Sequence, residues 1–202
     1  MLDKLSVVLA FPKAYELFSN VLAPERRLLF FFEHKPGSKI LDVGCGPGNN
    51  AHHFLDSEYT GVDLSPAYIE EATRKFRMHG NVRFFCSDAN VFLDARHTEE
   101  KFDLIFMCGV LQQLNDDEAL NVLYSISKLL AVGGEFRSID NVWLEEQSAF
   151  VRYMLSINRG RHVRTVEGYR QLIGEHFSNA TYELRHDLLR IPYDHIVFSA
   201  YT

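Results

Sequence analysis

At 202 residues, with 47% hydrophobic and 24% charged side chains, the chain has the size and composition of one globular domain with a sizeable core. Its formal net charge of −6 argues against a nucleic-acid substrate, whose phosphates need a basic face. No run approaches the ~20 apolar residues of a membrane span. The apolar stretch 5–11 is too short, and too soon followed by Lys13 and Glu16, to read as a secretory leader.

Residues 1–35 precede the first strand. Tyr15, Leu17, Phe18 and Val21 suggest one helical segment, and Pro24 opens a second that Lys35-Pro36-Gly37 ends. This segment reads either as helix packed on a sheet or as a lid over a cofactor, with Tyr15 on the substrate side. Residues 38–43 read as a buried strand. Gly44, Gly46 and Gly48 then alternate through a turn that leads to a helix expected over 49–55. Glycine permits positive φ and close approach of a ligand, and a helix start adds free N–H groups. The stretch is therefore a candidate cradle for a nucleotide-type cofactor. The dinucleotide fingerprint G-x-G-x-x-G/A fails at its third position, which falls on Asn49. His52 and His53 are adjacent on the expected helix and so diverge by about 100°, and no metal site is expected there.

The second strand, 59–63, ends on Asp63, placed to accept from ribose hydroxyls. Ser65 is a fitting N-cap with Pro66 at the first helical position, opening a helix to Met78. The third strand, 82–86, leads into Ser87-Asp88-Ala89. That loop either accepts from an adenine amino group or caps a short helix from Asn90. The fourth strand is 102–108, and Asn115 with Glu118 forms a capping-box signal after it. The helix beyond carries Ala119, Val122, Leu123, Ile126, Leu129 and Leu130 on one stripe and stops at Gly133-Gly134. Residues 135–140 are the fifth strand, with Asp140-Asn141 at the carboxyl end where open α/β sheets bind ligands. A helix over 144–158, a basic loop over 159–164 and a helix capped by Thr165 follow. Two strands, 180–188 and 194–201, close the chain as an antiparallel pair. Cys45, Cys86 and Cys108 all sit at the ends of expected strands and read as reduced, buried thiols of a cytoplasmic protein.

The order of these parts resembles the class I S-adenosylmethionine-dependent methyltransferases over nearly the whole chain. The resemblance rests on D-x-G-x-G-x-G after the first strand, the acid after the second, S-D-A after the third, F-D-L-I in the fourth, L-L-x-x-G-G before the fifth and the closing hairpin. It implies an α/β fold: a three-layer αβα sandwich with a seven-stranded, mostly parallel sheet and an antiparallel last strand, in one domain over 1–202. It also implies S-adenosylmethionine as cofactor and S-adenosylhomocysteine as product. Asp42, Gly44, Cys45, Gly46 and Gly48 would line the methionine part, Asp63 the ribose, and Leu64, Ser87, Asp88 and Ala89 the adenine. Cys108 and Gly109 would form the wall beside the methyl donor. Many relatives carry a histidine in the turn after the fourth strand, where this chain has Gln112 and Gln113.

In-line methyl transfer to a good nucleophile needs positioning and desolvation first, and a general base only for a protonated acceptor. Asp140 and His162 are the candidate bases, against helix capping and a solvated loop. Arg159, Arg161 and Arg164 concentrate positive charge in an acidic chain. They either recognise a carboxylate or phosphate on a small-molecule substrate or pair with Glu145, Glu146 or Glu167. With Tyr15 and Gln112 they make the expected substrate side, together with 141–164. The expected partner is a small metabolite, with neither nucleic acid nor membrane. A protein methyltransferase, a non-catalytic cofactor-binding subunit and a metal-assisted catechol-type enzyme are the alternatives. The last requires an acid after the fourth strand, where Met107-Cys108-Gly109 supplies none.

Overall fold

The apolar run before the glycine turn forms β1 (Lys39–Val43), in which Ile40, Leu41 and Val43 are fully buried. Such a strand needs parallel neighbours on both sides and cover on both faces, and the computed structural model supplies them. It describes residues 33–95, 100–156, 161–190 and 193–201. Tyr15, most of the expected lid and Arg159 lie outside the described residues.

On one side of β1 lie β2 (Glu58–Asp63) and then β3 (Val82–Cys86), both parallel. On the other lie β4 (Phe102–Cys108) and then β5 (Leu130–Trp143), also parallel. The chain thus reverses direction across the sheet between β1 and β4, opening a crevice at their carboxyl ends. A two-residue β6 (Arg164–Thr165) pairs with the end of β5. The edge strand β7 (Thr181–Arg185) and the last strand β8 (His195–Tyr201) complete the sheet. β8 is inserted antiparallel between β5 and β7, giving the order β3-β2-β1-β4-β5-β8-β7. The expected seven-stranded, mostly parallel sheet with an antiparallel last strand is present, with β6 as an addition.

Alternation along the strands divides the core between the faces. Leu41, Ile105, Met107 and Phe136 join the side chains of α2 (Ala89–Asp94), α3 (Asp116–Leu129) and α5 (Val166–Gly174). Ile40, Leu104, Phe106 and Val197 join Phe54 and Tyr59 on the opposite side. There Ala72 and Phe76 of α1 (Pro66–Phe76) also pack beside Phe84. The remaining helix, α4 (Ala149–Ser156), buries Val151 and Leu155.

Four local expectations change, one of them the helix expected over 144–158, which begins only at Ala149. The helix expected over 49–55 is a single 3-10 turn, Ala51–Phe54. The poor helix formers Gly48, Asn49 and Asn50 precede it, and β2 begins at Glu58, which leaves room for one tight turn. The fifth strand starts at Leu130 rather than Glu135, because Gly133 at φ +75° and the close-packed Gly134 are absorbed in a register shift opposite Phe102 and Leu104. Cys86 is exposed; Cys45 is buried, Cys108 is partly so, and all three are free thiols.

The capping box at the start of α3 forms as read. Asn115 Oδ1 accepts from the Glu118 N–H at 3.0 Å, and Glu118 Oε2 accepts from the Asn115 N–H at 2.9 Å. Asn115→Ala should therefore cost about 1 kcal/mol in urea denaturation. Combining it with Glu118→Ala should cost less than the sum of the single changes, since the two bonds share one geometry.

Candidate active site

Four loops meet at the carboxyl ends of β1 to β4, and hydrogen bonds stitch them in sequence. After β1, the N–H groups of Gly44 and Cys45 both donate to Val62 O, at 2.8 and 3.0 Å. The Gly46 N–H donates to Asp63 Oδ2 at 2.9 Å, while the Ser65 N–H donates to Asp63 Oδ1 at 2.8 Å. Ser87 N–H reaches Asp63 O at 3.0 Å, and Gly109 N–H reaches Ile139 O at 2.7 Å. Gly44 sits at φ +82°, and a Cβ there would stand 2.4 Å from Val110 Cγ2, so this turn and the one after β4 meet only because the side chain is absent. The expected cofactor residues Asp42, Gly44, Cys45, Gly46, Gly48, Asp63, Leu64, Ser87, Asp88, Ala89, Cys108 and Gly109 are all brought to this one edge.

Asp42 is fully buried. Its Oδ2 accepts from Tyr59 Oη at 2.6 Å and from Asn50 Nδ2 at 3.3 Å, and its Oδ1 has no partner among the described residues. Burial pushes its carboxyl up to about 7, against the lowering effect of those two bonds. Burial also raises Asp63, less the effect of the Ser65 and Gly46 N–H groups. The Cys45 and Cys108 thiols are held protonated by burial and then by nearby carboxylates, so neither is a poised nucleophile. Leu64 is 70% exposed, an uncovered apolar side chain beside Asp63. Asp88 acts as the N-cap of α2, its Oδ1 accepting from Asn90 and Val91 N–H, so the capping alternative is realised. Two buried polar atoms that sequence reasoning passed over also lack partners among the described residues, Asn49 Nδ2 and Asn90 Oδ1. Their positions, in the glycine turn and at the start of α2, were the only available signal.

The substrate side is rearranged relative to expectation. Arg164 does not present its guanidinium to a ligand. Its Nε and Nη2 bind Asp116 Oδ1 at 2.9 and 2.7 Å. Nη1 reaches Leu111 O and His162 O, and Nη2 also reaches Leu114 O. All five donors of the fork are thus consumed within the fold, pinning the turn after β4 to β6. Arg161 and His162 are exposed, and the His162 N–H donates to Gln112 O at 2.9 Å beside that turn. Gln112 is buried, and its Oε1 accepts from the Asn141 N–H at 2.8 Å, which makes it a brace between β4 and β5.

Asp140 is likewise internal, 1% exposed, with Oδ1 accepting from Gln112 N–H at 3.1 Å and Oδ2 without a partner among the described residues. Burial pushes its carboxyl up to about 8, and its Oδ1 is engaged by the Gln112 N–H rather than presented to solvent. Its role is to hold the Gln112 turn.

Two outcomes follow from these environments. From about pH 4 to about 8 the folded protein keeps protons on Asp42 and Asp140 that the unfolded chain has lost. Stability falls as pH rises through that window, by up to ~1.4 kcal/mol per pH unit for each group. Burial lowers His195 to about 4, which opposes the trend below about pH 6.5 but does not outweigh two carboxyls. Urea midpoints should drop from about pH 5 to about pH 8, and Asp140→Asn should flatten the part above about pH 7. Arg164→Lys keeps the charge but loses the fork, and should cost about 2–4 kcal/mol by the same measurement.

Residues 41–136 match the methyltransferase domain family. Over 132 residues the chain is 34% identical to malonyl-[acyl-carrier protein] O-methyltransferase 1 of Ilyobacter polytropus, covering 61% of this chain and 46% of that one. It is 38% identical over 98 residues to trans-aconitate 2-methyltransferase of Methylobacterium radiotolerans, covering 46% of this chain and 34% of that enzyme. The chain thus spans less than half the length of these two relatives. Among solved structures, a putative O-methyltransferase from Nostoc punctiforme superposes with a TM-score of 0.70 at 21% identity, covering 97% of this chain and 60% of that one. Phosphoethanolamine N-methyltransferase 2 of Haemonchus contortus, in complex with S-adenosyl-L-methionine, gives 0.69 at 17% identity, covering 88% and 51%. At these identities the structural likeness is one of fold. Together with the glycine turn, the Asp63 latch and the sheet order, the match over residues 41–136 supports a class I S-adenosylmethionine-dependent methyltransferase.

Proposed function

We propose that the protein transfers a methyl group from S-adenosylmethionine to a small-molecule acceptor. The observation that carries this reading is the set of unpaired buried polar atoms along the four-loop edge. Asp42 Oδ1 is an acceptor and Asn49 Nδ2 a donor beside the glycine turn, matching the ammonium and carboxylate of an amino-acid moiety. Each Asp63 oxygen takes one backbone N–H and keeps a lone pair for a ribose hydroxyl. Asn90 Oδ1, at the start of α2, is an acceptor for an adenine amino group, and exposed Leu64 is an apolar surface for a flat ring.

The cofactor, when bound, supplies a methyl group on a good leaving group. The chain's own work is then to orient the acceptor and exclude water. Cys108 and Gly109, at the end of β4, are the wall on the transfer side. An anionic acceptor is less well supported than the sequence suggests. Of the three arginines assigned to it, Arg164 is spent within the fold and Arg161 is exposed, while Arg159 lies outside the described residues.

Calorimetric titration with S-adenosylhomocysteine, and separately with NADH, tests the reading. The first should bind and the second should not. Asp63→Asn should weaken S-adenosylhomocysteine about tenfold or more, the cost of charge-assisted hydrogen bonds. Binding of NADH in preference would remove the reading and its site assignments together.

A further inference from the structure

Side chains alternate along β1. Leu41 and Val43 face one side of the sheet, and Ile40 and Asp42 the other, the side of Phe54 and Tyr59. An acid on the buried face of a central strand needs a donor, and β2 supplies one diagonally. The residue opposite Asp42 is Gly61, while Tyr59, opposite Ile40, lies on the same face two residues back. A Cβ on Gly61 would stand 2.8 Å from Phe84 Cδ1 and 2.9 Å from Cys45 Sγ, so no side chain comes between the tyrosine and the acid. The Tyr59 ring stacks on Phe54 at 5.7 Å and meets Phe84 edge-on at 5.8 Å, and its hydroxyl donates to Asp42 Oδ2 at 2.6 Å.

The pairing is one-sided. Asn50 Nδ2 also reaches Oδ2, at 3.3 Å, so both donors fall on one oxygen. Oδ1, just ahead of the glycine turn, has none among the described residues, and no lysine, arginine or histidine among them pairs with Asp42. A buried, ionised oxygen without a donor is unfavourable. In the free protein a proton relieves it: burial raises the carboxyl to about 7. Oδ2 already accepts two hydrogens, so that proton belongs on Oδ1. Oδ1 is also the atom that the cofactor reading assigns to the ammonium.

We propose that Tyr59 is a positioning residue for the cofactor: by occupying Oδ2 it makes Oδ1 the one place where a proton and the cofactor ammonium compete, so that cofactor capture expels the Asp42 proton. The assignment rests on the methyltransferase reading above. The step balances: the carboxylic acid and R–NH3⁺ give a carboxylate paired with R–NH3⁺, and the proton goes to solvent. Tyr59 acts through Asp42, because its O–H favours the ionised form that the ammonium requires.

The test is calorimetric titration of the whole chain with S-adenosylhomocysteine, and with adenosine, which has the ribose and ring but no ammonium, between about pH 5.5 and about pH 8. S-adenosylhomocysteine should tighten about twentyfold from about pH 5.5 to about pH 7.5 and then level off, with close to one proton released near pH 6 in buffers of differing ionisation heat. Adenosine should show no such rise. Tyr59→Phe keeps the ring packing and loses the donor. It should move the midpoint up by about one pH unit, leaving S-adenosylhomocysteine about eightfold weaker near pH 6.5 but within about twofold of the parent near pH 8.

The other ionisable or charged groups around Asp42 are Asp63 on β2, Cys45 in the turn, Cys108 on β4 and, beyond it, Asp140 on β5. Lys75 of α1 and His52 and His53 of the 3-10 turn flank the glycine segment. Burial holds both thiols and the Tyr59 hydroxyl neutral. All of these groups remain in Asp42→Asn, which should bind S-adenosylhomocysteine weakly and equally across the range. A pH dependence that survives in Asp42→Asn, or that adenosine shares, would overturn the competition at Oδ1. A Tyr59→Phe loss equal at every pH would reduce Tyr59 to a structural role. Failure of both ligands to bind at any pH would remove the methyltransferase reading itself.

Discussion

The carboxylate of Asp63 is the joint on which the cofactor edge is built. One oxygen holds the Gly46 N–H of the turn after β1, and the other holds the Ser65 N–H that begins the approach to α1. Two loops from different strands are thereby fixed to a single planar group at the end of β2. The arrangement costs something, since burial raises the carboxyl against those two bonds. Each of the same oxygens keeps a lone pair, so the residue that organises the loops is also the one proposed to meet the ribose.

A second organising centre serves the other half of the mouth. Arg164 reaches from β6 to Asp116 at the head of α3 and to three carbonyls, two of them in the turn after β4. Its guanidinium lies over the Tyr169 ring, and the Tyr169 hydroxyl donates to Asn141 O at 3.0 Å. Gln112 and Asp140 close the circuit between β4 and β5. Charge that looked available for a substrate is the fastening of the wall the substrate would meet.

What could be read from the sequence was what depends on near neighbours. The Asn115–Glu118 box, the Ser65–Pro66 start and the Thr165 cap each join groups three residues apart, and each appears in place. The sheet order followed from a run of motifs in register rather than from any one of them. The partner of Arg164 was not legible, because Asp116 is 48 residues away and its own surroundings gave only a helix start. Asp140 was visible as an acid at a strand end, but its 1% exposure and its bond to the Gln112 N–H depend on elements packed from several directions. Short-range chemistry is written in the order of residues, while long-range pairing is decided by which loops the sheet brings to one edge.

Lys75, on α1, reaches back to Pro47 O at 3.2 Å and Asn49 Oδ1 at 3.4 Å, and a Cβ on Gly48, at φ +76°, would stand 3.1–3.3 Å from Ala72, Phe84 and Phe76, so those neighbours would have to give. The glycine turn is therefore gripped from behind by a helix and a strand, as well as from the side by Asp63. A segment rich in glycine would otherwise have the most backbone entropy to lose on meeting a ligand. Here folding has already met that cost, so cofactor capture resembles the closing of a key into a cut lock rather than the ordering of a loop. The glycines in this turn serve rigidity: they let the backbone be wedged where bulkier residues could not go.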